Sequence, residues 1–144
     1  LALGDEAARR DRLLFPEQTS AYWYYHKVLT LDAHHPAARA GLARILDRYR
    51  ELAKAAIDEK AFDRARLFIA RALRVESADE RTLRLQDELD EVIAETRAAD
   101  LAQAKILQDE LARLAAEQTR SEPAKGRSRR ASGNNFRALM QAVD

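Results

Sequence analysis

The sequence has no cysteine, and only four glycines and three prolines interrupt its 144 residues. The absence of cysteine excludes disulfide bonds and thiolate metal sites, although it does not identify a compartment. The long segments between glycines and prolines are rich in Ala, Leu, Arg and Glu, which lose little side-chain entropy in a helix. No apolar run approaches the roughly 20 residues of a membrane-spanning helix. These absences favour an all-α protein that is long enough to bury a core.

The residue patterns of catalytic and metal sites are also missing. His26 has no histidine or carboxylate four residues later, and the neighbouring Lys27 repels a cation. His34 and His35 are adjacent, so on a helix their side chains point apart and cannot chelate one metal ion together. We find no Ser–His or Cys–His pairing and no glycine-rich phosphate loop. The sequence therefore predicts a protein that is not an enzyme and that binds no metal or cofactor.

Helical periodicity is the main signal that the sequence does contain. Phe15 precedes a proline, which pushes it out of the helical region and ends the first predicted helix. Ser20 and Asp79 are suited to cap two later helices, Pro36 is suited to begin another, and Lys60 and Ala61 form a turn. The predicted helices cover residues 1–14, 21–31, 37–59, 62–75 and 80–119.

The last of these segments contains no glycine or proline, and as one helix it would be roughly 60 Å long. Leu83, Leu85, Leu89, Val92 and Ile93 mark the apolar positions of its first half. Those of its second half are Ile106, Leu107, Leu111 and Leu114. The two sets do not keep one heptad register, which argues against a long two-stranded coiled coil. A break near residues 98–100 is the alternative to a continuous helix.

The centre of the chain has the spacing of a helix–turn–helix repeat. Small and apolar residues that match the first helix of such a unit are Leu52, Ala53 and Ala56, and those that match the second are Ala65, Ile69, Ala72 and Leu73. In these residues the chain resembles a tetratricopeptide repeat, a unit of about 34 residues. The resemblance implies a short stack of antiparallel helical hairpins that serves as a scaffold or adaptor for other proteins.

A second resemblance covers residues 13–89. Its markers are Leu14, Phe15, Pro16, Ala21, Tyr22, Tyr25, Val28, Leu29, Leu31, Asp32, Gly41, Leu42, Arg48 and Tyr49. In these residues the chain is similar to repeat domains of bacterial envelope and membrane-anchored proteins. The resemblance implies a bacterial protein in a periplasmic or membrane-associated assembly, with any anchor lying upstream, and a cytoplasmic location stays open. It carries over no catalytic residue.

Four consecutive aromatic residues, Tyr22 to Tyr25, surround the whole circumference of the second predicted helix. Tyr25 shares a face with Ala21 and is expected in the core. Trp23 is grouped with Lys27 and is expected to be partly exposed, which makes Trp23 and Tyr24 candidate contacts for a partner protein. Packing of Trp23 beneath the first helix is the alternative.

The C-terminal residues differ in charge from the rest of the chain. Residues 1–119 contain 19 basic and 22 acidic residues, whereas residues 120–144 contain six basic and two acidic ones. We therefore divide the chain into a tetratricopeptide-like helical domain (1–119), a basic flexible linker (120–135) and a terminal segment (136–144). Arg127, Arg129 and Arg130 are candidate contacts for an acidic partner. Nucleic acid or an anionic surface is the alternative, which we do not expect because no aromatic residues are interleaved for base stacking.

The terminal segment is predicted to be a short amphipathic helix. Phe136, Leu139, Met140 and Val143 recur at helical spacing, so all four would lie on one face. Because so short a helix is marginal alone, we expect it to dock on a partner. The docking site is on the same chain, on a second copy or on another protein, and the sequence does not distinguish these three.

Overall fold

The computed structural model describes residues 1–121, and the remaining residues lie outside its described part. Residues 1–121 form five α-helices and one short 3-10 turn, and they include no β-strand. This confirms the all-α fold class. The helices are α1 (Ala2–Arg9), α2 (Ala21–Leu31), α3 (Pro36–Asp58), α4 (Phe62–Val75) and α5 (Glu80–Ser121), and the 3-10 turn is Glu17–Thr19.

Most helix ends follow the local signals in the sequence. The Ser20 hydroxyl accepts a hydrogen bond from the backbone N–H of Trp23 at 3.2 Å, and therefore caps α2. Pro36 is the first residue of α3, where its missing N–H costs nothing. Lys60 adopts a left-handed backbone conformation with φ of 56°. Its N–H and that of Ala61 then bond back to α3 carbonyls, which closes the helix and turns the chain into α4.

The predicted first helix is too long, because α1 ends at Arg9 rather than at residue 14. Asp11 has a φ of 56°, a left-handed conformation that stops the helix. Leu13 and Leu14 are nevertheless buried. The carbonyls of Arg12 and Leu13 accept hydrogen bonds from the N–H groups of Ala21 and Tyr22, at 2.8 and 3.0 Å. The first backbone N–H groups of α2 have no acceptor within α2 itself, and the carbonyls of this loop provide one.

Residues Leu1–Ala98 form one unit, and its interior has two apolar clusters. The first cluster surrounds Tyr25, Ile45 and Tyr49 and joins α1, α2 and α3. The second joins α3 to α4 and to the first half of α5, and its members are Ala53, Ala56, Ile57, Ala65, Ile69, Leu85, Leu89 and Ile93. Ala53 and Ala65 are completely buried. Their small side chains allow the backbones of α3 and α4 to approach closely.

A partly buried ion pair anchors the beginning of α5 to α3. The Asp79 carboxylate accepts a hydrogen bond from the backbone N–H of Thr82 at 2.9 Å, so Asp79 caps α5. The same carboxylate pairs with the Arg50 guanidinium of α3. Only 18% of the Asp79 side chain and 16% of the Arg50 side chain are exposed. The helix therefore begins at a fixed position against the hairpin formed by α3 and α4.

The residues from Ala99 onward belong to a second unit. Helical hydrogen bonding in α5 continues through residues 98–100, so the alternative of a break there is wrong. Every residue from 99 to 121 is exposed. The stability of this half of the helix therefore does not come from packing within residues 99–121.

Candidate protein-binding surfaces

The outer side of α2 carries the two aromatic residues that the sequence proposes as partner contacts. Trp23 and Tyr24 are both half-buried. Their rings meet edge to face, with centroids 5.0 Å apart, and the Lys27 ammonium lies 5.0 Å from the centre of the Trp23 ring. Leu31, which is 92% exposed, follows on the same side of the helix. We call Trp23, Tyr24, Lys27 and Leu31 the α2 aromatic surface.

A cleft of about 360 Å³ lies between α1 and α3, above the inward-facing Tyr25. The Tyr25 hydroxyl donates a hydrogen bond to Oδ1 of Asp5 at 2.7 Å, and Arg44 donates to the same carboxylate at 3.2 Å. Burial of the ring, followed by the hydrogen bond to Asp5, raises the pKa of Tyr25 above its usual value of 10.0. The hydroxyl is therefore protonated at neutral pH and serves to hold α1, α2 and α3 together.

The arginines that line this cleft already have carboxylate partners. Arg9 pairs with Glu6, Arg44 with Asp5, and Arg48 with Glu51. These carboxylates offset the positive charge of the three guanidinium groups and so weaken their attraction for an anionic ligand. The cleft is therefore better explained as part of the packing around Tyr25 than as a binding site.

The second half of α5 exposes several large apolar side chains. The exposed fractions are 72% for Leu101, 59% for Ile106, 51% for Leu107, 67% for Leu111 and 46% for Leu114. Successive residues of an α-helix are turned by about 100°, so Ala104, Leu107, Leu111 and Leu114 fall within a sector of about 80°. We call these four residues the α5 apolar row. Glu110 and Glu117, seven residues apart, lie along one edge of the row.

The sequence reveals the apolar character of this row but not its exposure. In the first half of the same helix, similar spacing accompanies burial, since Leu85, Leu89 and Ile93 pack against α3 and α4. A pattern of apolar residues defines a face and does not say what covers it. Exposure is what identifies the row as a binding surface, and only the structure shows that the row is exposed.

The other candidate contacts lie beyond the described residues. These are Arg127, Arg129, Arg130, Phe136, Leu139, Met140 and Val143. Within residues 1–121, no three side chains of His, Asp or Glu come together to hold a metal ion, and no helix is long and apolar enough to cross a membrane. Two open grooves beside α5 are lined by residues of the first unit, one mostly charged and one with Ile69, Leu73 and Leu89 in its floor.

Comparison with known proteins gives no match to a family model, to a curated protein or to a solved structure. The tetratricopeptide resemblance therefore stays a prediction. The two surfaces defined above, rather than a relative, are the basis for any assignment of function.

Proposed function

We propose that this protein is a non-enzymatic interaction module that binds another protein. The observation that carries the proposal is the α5 apolar row, in which three leucines are between 46% and 67% exposed on one side of a helix. The residues before it form a packed helical body with two apolar clusters. That body has the character of a scaffold that presents surfaces for recognition.

The energetics of the row support this proposal. Covering a large aliphatic side chain contributes about 1.5 to 3 kcal/mol relative to leaving it in water. Isolated exposed leucines are common on protein surfaces, but a contiguous apolar patch is typical of an interaction site. An amphipathic helix face is also a recurring element of protein recognition, in which residues at i, i+3, i+4 and i+7 act as anchors. The spacing of Leu107, Leu111 and Leu114 fits that pattern.

The α2 aromatic surface provides a second possible contact for the same kind of partner. Trp and Tyr are enriched among the residues that contribute most to protein–protein binding. The Lys27 ammonium lies against the Trp23 ring, a cation–π contact that contributes about 0.5 to 1 kcal/mol at an exposed site. The wider setting that we propose, a bacterial envelope or membrane-associated assembly, is supported only by the resemblance of residues 13–89.

The proposal is tested by affinity capture from extracts of the cells that express the protein. The variant Leu107→Gln with Leu111→Gln removes two anchors of the row and keeps good helix formers. The matched control, Ala102→Gln with Ala116→Gln, places the same side chains on the far side of the helix. We expect the wild type and the control to retain the same protein partner at high salt, and the row variant to lose it. If no protein is retained, or if the row variant retains it equally, the proposal is wrong.

A further inference from the structure

We propose that the α5 apolar row is bound by the terminal segment of the same chain, residues 136–143. This inference rests on the proposed function in taking the row as a binding surface, and it names one occupant of that surface. Three observations carry it: the shape of the row, the charge along its edge, and the length of chain that follows α5.

The row and the terminal segment match in length and pattern. Ala104 to Leu114 covers eleven residues, and the two end residues lie about 15 Å apart along the helix axis. Phe136, Leu139, Met140 and Val143 fall within eight residues, and as a helix they would present an apolar face about 10 Å long. Ala104 leaves space at one end of the row for a large side chain such as Phe136. The segment is therefore short enough to lie entirely on the row.

Charge along the row favours a basic occupant. Glu110 and Glu117 line one edge, and Glu117 also pairs with Arg113 of the same helix at 4.0 Å. Residues 122–144 contain five basic residues, Lys125, Arg127, Arg129, Arg130 and Arg137, against two acidic ones. Arg137 follows Phe136 in the sequence, so a segment bound to the row would bring its positive charge near that edge. Opposite charges placed along an apolar contact set its orientation and disfavour the wrong partner.

The same edge argues against a second copy of the chain. In an antiparallel pair, with Leu107 of one copy against Leu111 of the other, the Glu110 side chains of both copies would meet and repel each other. In a parallel pair, Glu110 would face Ala115 of the other copy and gain no ionic partner. In neither arrangement does Glu110 of one copy meet a complementary charge on the other.

The connection between the two elements is long enough. Residues 122–135 number 14, and at about 3.3 Å per residue they can extend to roughly 46 Å. From Ser121 back to the centre of the row near Asp109 is 12 residues of helix, or about 18 Å. The segment can therefore fold back onto α5 without strain. A connection of this length gives an effective concentration in the millimolar range, so that even a weak contact is occupied.

Amide hydrogen exchange of the full chain tests this inference. We expect the amides of residues 136–143 to exchange at least about tenfold more slowly than those of an unstructured peptide. The protection should disappear in Leu107→Gln with Leu111→Gln and persist in the control Ala102→Gln with Ala116→Gln. Exchange at the unstructured rate in the wild type would overturn the inference, as would protection that survives in the row variant.

Two further measurements separate this inference from its alternatives. Protection within one chain is independent of protein concentration, whereas protection that increases between about 5 and 500 μM would assign the contact to a second copy and overturn the inference. Removal of residues 136–144 should increase capture of a protein partner, because the row is no longer occupied. If the amides are protected but neither chain captures a protein, the proposed function fails and this inference stands.

Discussion

Tyr25 is the residue at which α1, α2 and α3 meet, and two glycines make room for it. An added Cβ would lie 2.8 Å from the Tyr25 ring at Gly4 and 2.5 Å from it at Gly41. Both distances are too short for a carbon–carbon contact, and the hydrogen bond from its hydroxyl to Asp5 restrains the ring. Gly4 and Gly41, two of the four glycines of the chain, are therefore required because the Tyr25 ring lies against their Cα atoms.

We expect Gly41→Ala to lower the free energy of unfolding by up to about 2 kcal/mol. Overpacking against the ring costs about 1 to 3 kcal/mol, and the better helix propensity of alanine offsets about 1 kcal/mol of that loss. Urea denaturation monitored by circular dichroism measures the change.

The control for this prediction is the same substitution in a Tyr25→Leu background. Without the ring, the new methyl group meets no obstacle, and Gly41→Ala should be neutral or stabilising there. Equal destabilisation in both backgrounds would show that Gly41 is required for a reason other than contact with Tyr25.

Asp79 is a second position where one side chain has two roles, since it caps α5 and pairs with Arg50. Burial acts to raise the pKa of its carboxyl, but the hydrogen bonds from Thr82 and Arg50 outweigh burial and lower it below the usual value of 3.8. Folding therefore favours the ionised form. The associated stability is fully present above pH 3.8 and is lost as the pH falls through the lowered pKa.

We expect Asp79→Asn to reduce stability by about 1 to 2 kcal/mol at pH 7, because asparagine keeps the cap but loses the charge. The difference from the wild type should shrink as the pH falls below 3.8. Urea denaturation at pH 7, 5, 4 and 3 measures it. The control Asp63→Asn removes a fully exposed carboxylate of α4 and should change stability by less than about 0.5 kcal/mol. A difference between Asp79→Asn and wild type that does not depend on pH would contradict this account of the pair.

At the scale of single elements, the packing of α4 on α3 requires a small side chain where the two helices meet. Ala65 is completely buried against α3, whereas Ala70 on the same helix is exposed. We expect Ala65→Arg to lower stability by about 3 to 5 kcal/mol, because it overpacks the crossing and buries an unpaired charge. Ala70→Arg adds the same side chain to the same helix and should have little effect. Thermal melts of both variants test this, and equal melting temperatures would contradict the packing of α4 on α3.

The elements also show how far the sequence determines the fold. The positions of α2, α3, α4 and α5 follow from caps, prolines and apolar spacing, which are local signals. The early end of α1 does not, because the left-handed Asp11 and the burial of Leu13 result from contacts with α2. For the candidate site, the aromatic character of Trp23 and Tyr24 and the apolar spacing in α5 are visible in the sequence. The exposure of Leu107 and Leu111 is not visible, since burial depends on what packs against a face.

For the whole molecule, the central claim is that the α5 apolar row is a binding surface. Its most direct test is a photo-crosslinking amino acid placed in living cells at Leu111, in the row, and separately at Ala116, on the far side of the same helix. We predict crosslinked products from position 111, to another protein or to residues 136–143 of the same chain, and none from position 116. No product from position 111, or equal products from both positions, would contradict the claim.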